Sequence, residues 1–464
     1  MEMENKWINL ALQCVSAVVM GILAYKYLPF PFTNHDVVIY KIIGDGILYH
    51  GQFPYTYAFD HKPAFLFYIY AIVTAIYPFK MGFFVFLSSI FYIASGAVLS
   101  KYADGTYRNT MLYALSVTVL SLPFVDFSGN TEILYNAMIL VSLYMLRSDR
   151  GGLIFFSGLV AILSVNTNYL SGVILSLPTL YLLLSGGLHS ALRKCIIYSS
   201  GVILGLVLVF APIVATSNVT ENYLGPQISF LSVYGSEGTY TNTLMHYLPG
   251  LLISAVFMNP AIIACVTNVR LKDGITSLLL FASVIISMIA PRQIAPHYFA
   301  MVVVPVCMSL VIINKTRIIG VVIAMSIFAY TFSDEVMTMR RINNDNAVKF
   351  REGASEKFDE LKRIVDGRKV LSIRSSHVPV YMADIYPVMP FIWNAHTKLV
   401  FRDKEEDFFV AELKKSPELA MTSNFYCNKP TSMQRVCSIL KNDYTLIYRI
   451  EWGFGFGSDL YQYK

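Results

Sequence analysis

Apolar stretches separated by short polar loops recur through the first 332 residues of the chain, at 7–28, 64–79, 82–100, 111–125, 133–146, 153–165, 169–184, 196–215, 248–266, 275–290, 298–313 and 318–332. Backbone groups in lipid must be satisfied within their own segment, so stretches of this kind predict α-helices. Several are shorter than the roughly 20 residues of an upright span, and 153–165 is the weakest. The stretch 7–28 is long enough to span and has no small-residue cleavage site behind it, which predicts a retained anchor. From Asp334 and Glu335 onward the pattern turns to mixed charge. A charged helix at 348–365, a strand at 369–373, a helix at 405–415, an apolar strand at 419–422, a helix at 432–442 and a β-rich stretch at 444–451 predict a small α/β domain. Two domains are expected, at 1–333 and 334–464.

Composition sharpens this picture. Of 464 residues 55% are apolar and 14% charged, against roughly 25% charged in soluble domains, and the mean hydropathy is +0.53. An ordinary soluble enzyme is excluded, and 31 Phe with 31 Tyr furnish aromatic belts at two interfaces. The net charge of +6 is placed in alternate loops, which marks membrane orientation and not nucleic-acid binding. Lys101 and Arg108, Arg147 and Arg150, Arg193 and Lys194, Arg270 and Lys272, and Lys315 and Arg317 predict cytoplasmic loops. The intervening loops at 126–132, 166–168 and 216–243 contain no Lys or Arg, and the loop at 291–297 contains Arg292 alone. Parity then requires 64–79 to begin and end outside, as a juxtamembrane or re-entrant helix. The expectation is about eleven crossings, a long first external segment at 29–81 and an external C terminus.

That external segment is dense in ionisable groups: Asn34, His35 and Asp36, then Tyr40, Gly51, Pro54 and Tyr55, then Asp60, His61, Lys62 and Pro63. Asp36 is either a helix N-cap or a functional acid placed where the first span emerges. Lys62 either snorkels to the headgroups or binds phosphate. Arg292 breaks the exclusion of basic residues from the outer loops between Asp104 and Phe332, which predicts an anionic partner, with Gln293, His297 and Tyr298 as further donors. His297 and Tyr298 fit an interfacial aromatic pair equally well. Asp126 and Glu132 supply a second acidic position or a solvated loop face. Cys427 and Cys437 lie in the outer domain, where an oxidising compartment would let them pair; two free thiols are the alternative. The other four cysteines lie in or beside spans, as packing residues.

The sequence has no Walker loop, no HExxH and no CxxC, and Gly453, Gly455 and Gly457 lie too near the C terminus to open a helix on a dinucleotide. With no cytoplasmic domain to hold a nucleotide-sugar, an activated substrate would arrive through the membrane. The order Asp36, Tyr40, Gly51-x-x-Pro54-Tyr55 and Asp60-His61-Lys62-Pro63 ahead of a non-spanning helix resembles the polytopic C-type (GT-C) glycosyltransferase superfamily. That group includes protein O-mannosyltransferases and lipid A aminoarabinose transferases. The stretch from Arg292 to Tyr298, followed by Pro305, is similar to its Arg/His-Tyr motif, and Pro379, Tyr381, Tyr386 and Pro387 are similar to its small extracytoplasmic domain. His35 stands before Asp36 where the superfamily often has an acid after it, and Ala64 replaces a second proline. The missing acid argues against a metal held directly beside Asp36.

The resemblance implies a GT-C fold: a polytopic α-helical membrane protein with juxtamembrane helices in its first periplasmic loop and a small C-terminal α/β periplasmic domain. It implies that Asp36 is the general base toward an acceptor hydroxyl. Lys62, Arg292, His297 and Tyr298 would hold the phosphate of a polyprenyl-phosphate sugar. His35, Asp60, His61, Asp126 and Glu132 would support the site or the acceptor, and direct attack would invert the anomeric centre. The moderate length and single small outer domain resemble the serotype-converting O-antigen glucosyltransferases. Within that group the partners would be undecaprenyl-phosphate glucose and a polysaccharide or lipid-linked glycan, at the periplasmic face of a bacterial inner membrane. No cofactor is certain, and a divalent metal ion is left open. A transporter or flippase of lipid-linked saccharides is the rival class; it would carry inverted repeats and mid-membrane ionisable groups, and the sequence shows neither. An O-antigen polymerase or ligase, or a GT-C enzyme acting on lipid A or protein, are nearer alternatives.

Overall fold

The computed structural model describes residues 2–27, 35–53, 55–80, 82–122, 124–125, 127–216, 218–233, 239–292, 295–312, 354–424, 426–428, 433–453 and 456–464. The helices are α1 Glu2–Tyr27, α2 His35–His50, α3 Ala64–Ile76, α4 Phe83–Asp104, α5 Thr110–Ser121, α6 Thr131–Leu146, α7 Gly151–Val165, α8 Leu170–Leu184, α9 Leu188–Thr216, α10 Gly225–Leu231, α11 Tyr240–Val256, α12 Asn259–Thr267, α13 Leu271–Ile289 and α14 Val303–Leu310. Each apolar stretch from 7 to 313 thus contains a helix or a broken pair. The stretch 318–332, the loop with Lys315 and Arg317, and the boundary at 333/334 lie outside the described residues.

Length decides what these helices can cross. Among the described residues three are long and apolar enough for a membrane, Phe83–Ala103, Leu188–Thr216 and Leu271–Ile289. The pair α11 and α12, bent by 48° at its break, makes a fourth if taken as one span. At 1.5 Å per residue a 13-residue helix such as α3 reaches only about 20 Å, short of the ~30 Å hydrocarbon core. Residues Ala64, Leu66, Phe67, Tyr70, Val73 and Thr74 of α3 are buried against protein, so this helix packs beside α2. On α9, by contrast, Ile196, Ile203, Val207, Leu208 and Val214 are exposed, a flank suited to lipid. Its other flank meets α7 closely: a Cβ at Gly158 or Gly201 would run into the backbone of the facing helix, so only glycine allows this spacing.

The loops gather at two ends of the bundle. At one end Asp273, buried at the start of α13, takes Arg147 at 2.5 Å and Arg270 at 2.7 Å and accepts from the Tyr102 hydroxyl at 3.1 Å. Arg270 also donates to the Val311 carbonyl at 3.0 Å, and Lys194 pairs with Asp149 at 2.8 Å. Four of the five basic loops therefore meet on one side. At the other end Leu66 donates to the Asn166 carbonyl, Asn168 to Thr131 Oγ1 and the Ala295 backbone to the Tyr247 hydroxyl, which joins the loops that lack lysine.

Residues 354–464 sit on this second end. Helix α15 (Ala354–Val365) precedes a five-stranded sheet of order β2-β1-β3-β5-β4, with β1 Lys369–Ile373, β2 Tyr386–Pro387, β3 Leu419–Ser423, β4 Tyr444–Gly453 and β5 Phe456–Tyr463. β1 pairs in parallel with β2 and β3, while β5 runs antiparallel to β3 and β4. The helices α16 (Val378–Met382), α17 (Asn394–Phe401), α18 (Glu405–Leu413) and α19 (Gln434–Asp443) complete the unit. Leu371, Ile373 and Ala420 of the sheet bury against Phe409, Leu413, Val436 and Leu440 of α18 and α19. The glycines at 453 and 457 flank the β4–β5 hairpin, a structural use of that motif. Cys427 and Cys437 are joined in a disulfide with Cα atoms 5.4 Å apart.

Candidate functional site

The unit at 354–464 is fastened to the segment that runs from the end of α2 to the start of α4. Lys80 donates to the carbonyls of Tyr381 at 2.8 Å and Met382 at 2.9 Å and pairs with Asp384 at 2.6 Å. Phe59 donates its N–H to the Pro390 carbonyl at 2.8 Å, and Gln52 bonds the Tyr386 hydroxyl. His50 stacks on Tyr57, with the edge of Tyr386 against both. The loop between α2 and α3 is therefore held between the bundle and the sheet.

Asp36 lies in the first turn of α2, half-buried, where a carboxylate is favoured by the helix dipole. One turn on, Tyr40 is fully buried between Phe67 and Tyr70 of α3. Gly44 makes that packing possible, since a Cβ there would stand 2.8 Å from Tyr70 Cβ. The Tyr40 hydroxyl makes no hydrogen bond among the described residues. Burial first, then the charges of Asp36, Asp60 and Glu132, hold its pKa well above the usual range. The charges of three acids thus act on one tyrosine.

Lys62 is positioned through its backbone. Its N–H donates to Asp60 Oδ1 at 2.9 Å, and its carbonyl accepts from Gln227 at 3.1 Å and from the Tyr55 hydroxyl. Tyr55 adopts φ of 74° to reach it and stacks on Tyr223 at 5.0 Å. The lysine side chain is half-buried, and its charge acts on Asp60, His61 and His396.

Glu132, in the first turn of α6, is fully buried, so the solvated-face expectation does not hold for it: Asn130 caps this helix inside the protein. Thr131 Oγ1 bonds its Oε2 at 3.1 Å, and His297 Nε2 stands 4.0 Å from Oε1. Asn136, one turn further, donates to the Ala300 carbonyl at 2.8 Å and fixes the 3₁₀ turn Pro296–Val302 that carries His297 and Tyr298. Tyr298 is buried, with its ring 4.9 Å from His297. Arg292 is exposed, at φ 54°, with its guanidinium 4.6 Å from the Tyr240 ring centroid. Among the described residues Arg292 has a cation–π partner and no carboxylate. Asp126, Gln293 and the His35 side chain lie outside the described residues.

Asp60, His61 and His396 form a third group. Asp60 and His396 are each 1% exposed; Asp60 Oδ2 stands 3.4 Å from His396 Nε2, and Oδ1 stands 3.6 Å from His61 Nδ1. Burial pushes the Asp60 carboxyl up to about 7, against the opposing pull of Lys62, and pushes His396 down to about 3. His61 is likewise lowered, first by burial and then by the Lys62 charge. His396 lies on α17, which the sequence pattern missed because 394–401 has no clean helical period. Gln227 was equally silent, a neutral residue in a long polar loop.

With ArnT from Cupriavidus metallidurans in complex with undecaprenyl phosphate the chain aligns over 98% of its own length and 98% of that chain, with a TM-score of 0.60 at 10% identity. The fold is shared with ArnT. Against the same protein in its apo state the coverage is 99% and 98%, the TM-score 0.60 and the identity 13%. No protein-family model matches the sequence, and no curated protein does. At such identities the likeness to ArnT is one of architecture, spanning both the helical part and the small sheet.

Proposed function

We propose that the chain is an inverting GT-C glycosyltransferase that moves a sugar from a polyprenyl-phosphate donor to a hydroxyl of an extracytoplasmic glycan. The observation that carries this reading is that the charges of Asp36, Asp60 and Glu132 all act on buried Tyr40, with the Lys62 backbone bonded to Asp60, at the end of the bundle opposite the basic loops. The shared fold adds weight, because ArnT binds undecaprenyl phosphate. In the proposed reaction the Asp36 carboxylate removes the acceptor hydroxyl proton, and that oxygen forms a bond to the anomeric carbon. The bond from the anomeric carbon to the phosphate oxygen breaks, and its electron pair leaves on the polyprenyl phosphate. Lys62 and Arg292 stabilise that departing anion, with His297 and Tyr298 as further donors. His61 and Glu132 shape the acceptor side. Glucose, O-antigen as acceptor, and about eleven crossings complete the proposal.

The site must then face the compartment in which Cys427 and Cys437 can oxidise. A reporter fused after Lys464 is expected to behave as periplasmic and one inserted beside Arg193 as cytoplasmic. Same-side behaviour of the two contradicts the proposed orientation.

A further inference from the structure

We propose that Asp60, His61 and His396 bind a divalent transition metal of the zinc class, which clips the loop between α2 and α3 to the unit at 354–464. This rests on no assumption about the sugar donor. The three donor atoms lie within 4.8 Å of one another. Two ligands about 2.05 Å from a tetrahedral zinc are roughly 3.3 Å apart, close to the 3.4 Å between Asp60 Oδ2 and His396 Nε2, while His61 Nδ1 stands 3.6 Å from the other oxygen of the same carboxylate. One carboxylate with two imidazoles suits zinc, cobalt or nickel better than magnesium or calcium, which prefer oxygen.

Burial points the same way. Asp60 Oδ1 already accepts the Lys62 N–H, whereas Oδ2 is buried and makes no hydrogen bond among the described residues. A buried carboxylate left without a full partner is costly, and a cation removes that cost. The rings are held by aromatic packing: His61 stacks on Phe230 at 4.6 Å, and His396 meets Trp393 at 4.7 Å, Phe59 at 5.3 Å and Phe230 at 5.4 Å. Thr397, the next residue on α17, donates to buried Glu405 at 2.5 Å, which also takes Arg374 at 3.1 Å, so the helix carrying His396 is itself anchored. Three protein ligands leave a fourth position for water or an anion next to Lys62.

The test uses the full-length chain, free of any histidine tag, purified in detergent and dialysed against a chelator. Titration with ZnCl2, checked by elemental analysis, is expected to give one zinc per chain. His396→Ala and Asp60→Asn are expected to weaken binding at least about tenfold, the loss seen even for outer-shell changes. Asp36→Asn is expected to bind as wild type does. Loading with Co2+ adds a visible spectrum that reports coordination geometry, and its loss in the milder His396→Gln covers the case in which the alanine variant does not fold. Substoichiometric zinc in folded wild type, or equal affinity in wild type and the His396 variants, overturns the proposal, whether or not the chain transfers sugar.

Discussion

Asp36→Asn is expected to fold, insert and bind donor normally, and to transfer sugar about 10²- to 10⁴-fold more slowly than wild type. Size and most hydrogen bonds are kept by the amide. What the fold loses is the charge in the first turn of α2, an effect of about 0.3 to 1 kcal/mol. An amide cannot take the acceptor proton at neutral pH, so the loss of rate far exceeds any loss of stability. Tyr40 widens the difference: its hydroxyl is buried beside Asp36, Asp60 and Glu132, and the charge on Asp36 is one of several there, so its removal leaves the packing of α2 on α3 in place. Turnover and thermal unfolding of the purified variant separate the two outcomes. A folded Asp36→Asn protein with near-normal turnover would move the base to Asp60. Glu132→Gln is the comparison, expected to disturb acceptor handling more than the chemical step.

Lys62→Ala is expected to weaken use of the lipid-phosphate donor by about 2 to 5 kcal/mol, since removing one partner of a desolvated charge pair leaves the other uncompensated. The lower end is the expected size because the side chain is half-buried. Even about 2 kcal/mol is a loss of roughly thirtyfold. The backbone clamp by Asp60, Tyr55 and Gln227 does not need the ammonium, so the loop should survive the substitution. Arg292→Ala is expected to act in the same direction and more weakly, because its guanidinium is exposed over Tyr240. Donor titrations of both variants check this. Wild-type donor use by both would place the phosphate elsewhere.

Several of these features were legible in the sequence, for stated physical reasons. The exclusion of lysine and arginine from alternate loops is a property of side chains alone, and the buried Asp273 cluster with Arg147 and Arg270 shows basic loops gathered at one end. The strand at 369–373 was visible because it is apolar, buried and bounded by charge. Helix α3 was legible as the apolar stretch at 64–79. Strand β5 was not, since Phe456–Tyr463 follows glycines and alternates weakly. Spans could be found only as apolar stretches, and those of 12 to 17 residues are too short for length to assign. In the site, the motif residues Asp36 and Lys62 were legible, whereas His396 and Gln227 come from distant segments that only the fold brings to Asp60 and Lys62. Glu132 was visible as an acid but not as a buried one, because burial at 131–136 depends on the turn at 296–302 packing over it.

The central claim is that a glycosidic bond is made at this site at the expense of the bond between a sugar's anomeric carbon and polyprenyl phosphate. The most direct measurement incubates the purified chain in detergent with synthetic undecaprenyl-phosphate glucose, labelled in the sugar, and purified O-antigen polysaccharide. Labelled glycan should appear together with an equal amount of undecaprenyl phosphate, its new linkage opposite in anomeric configuration to the donor. Donor recovered intact with no label in the glycan, alongside donor movement across vesicles containing the chain, would contradict the account and favour a transporter.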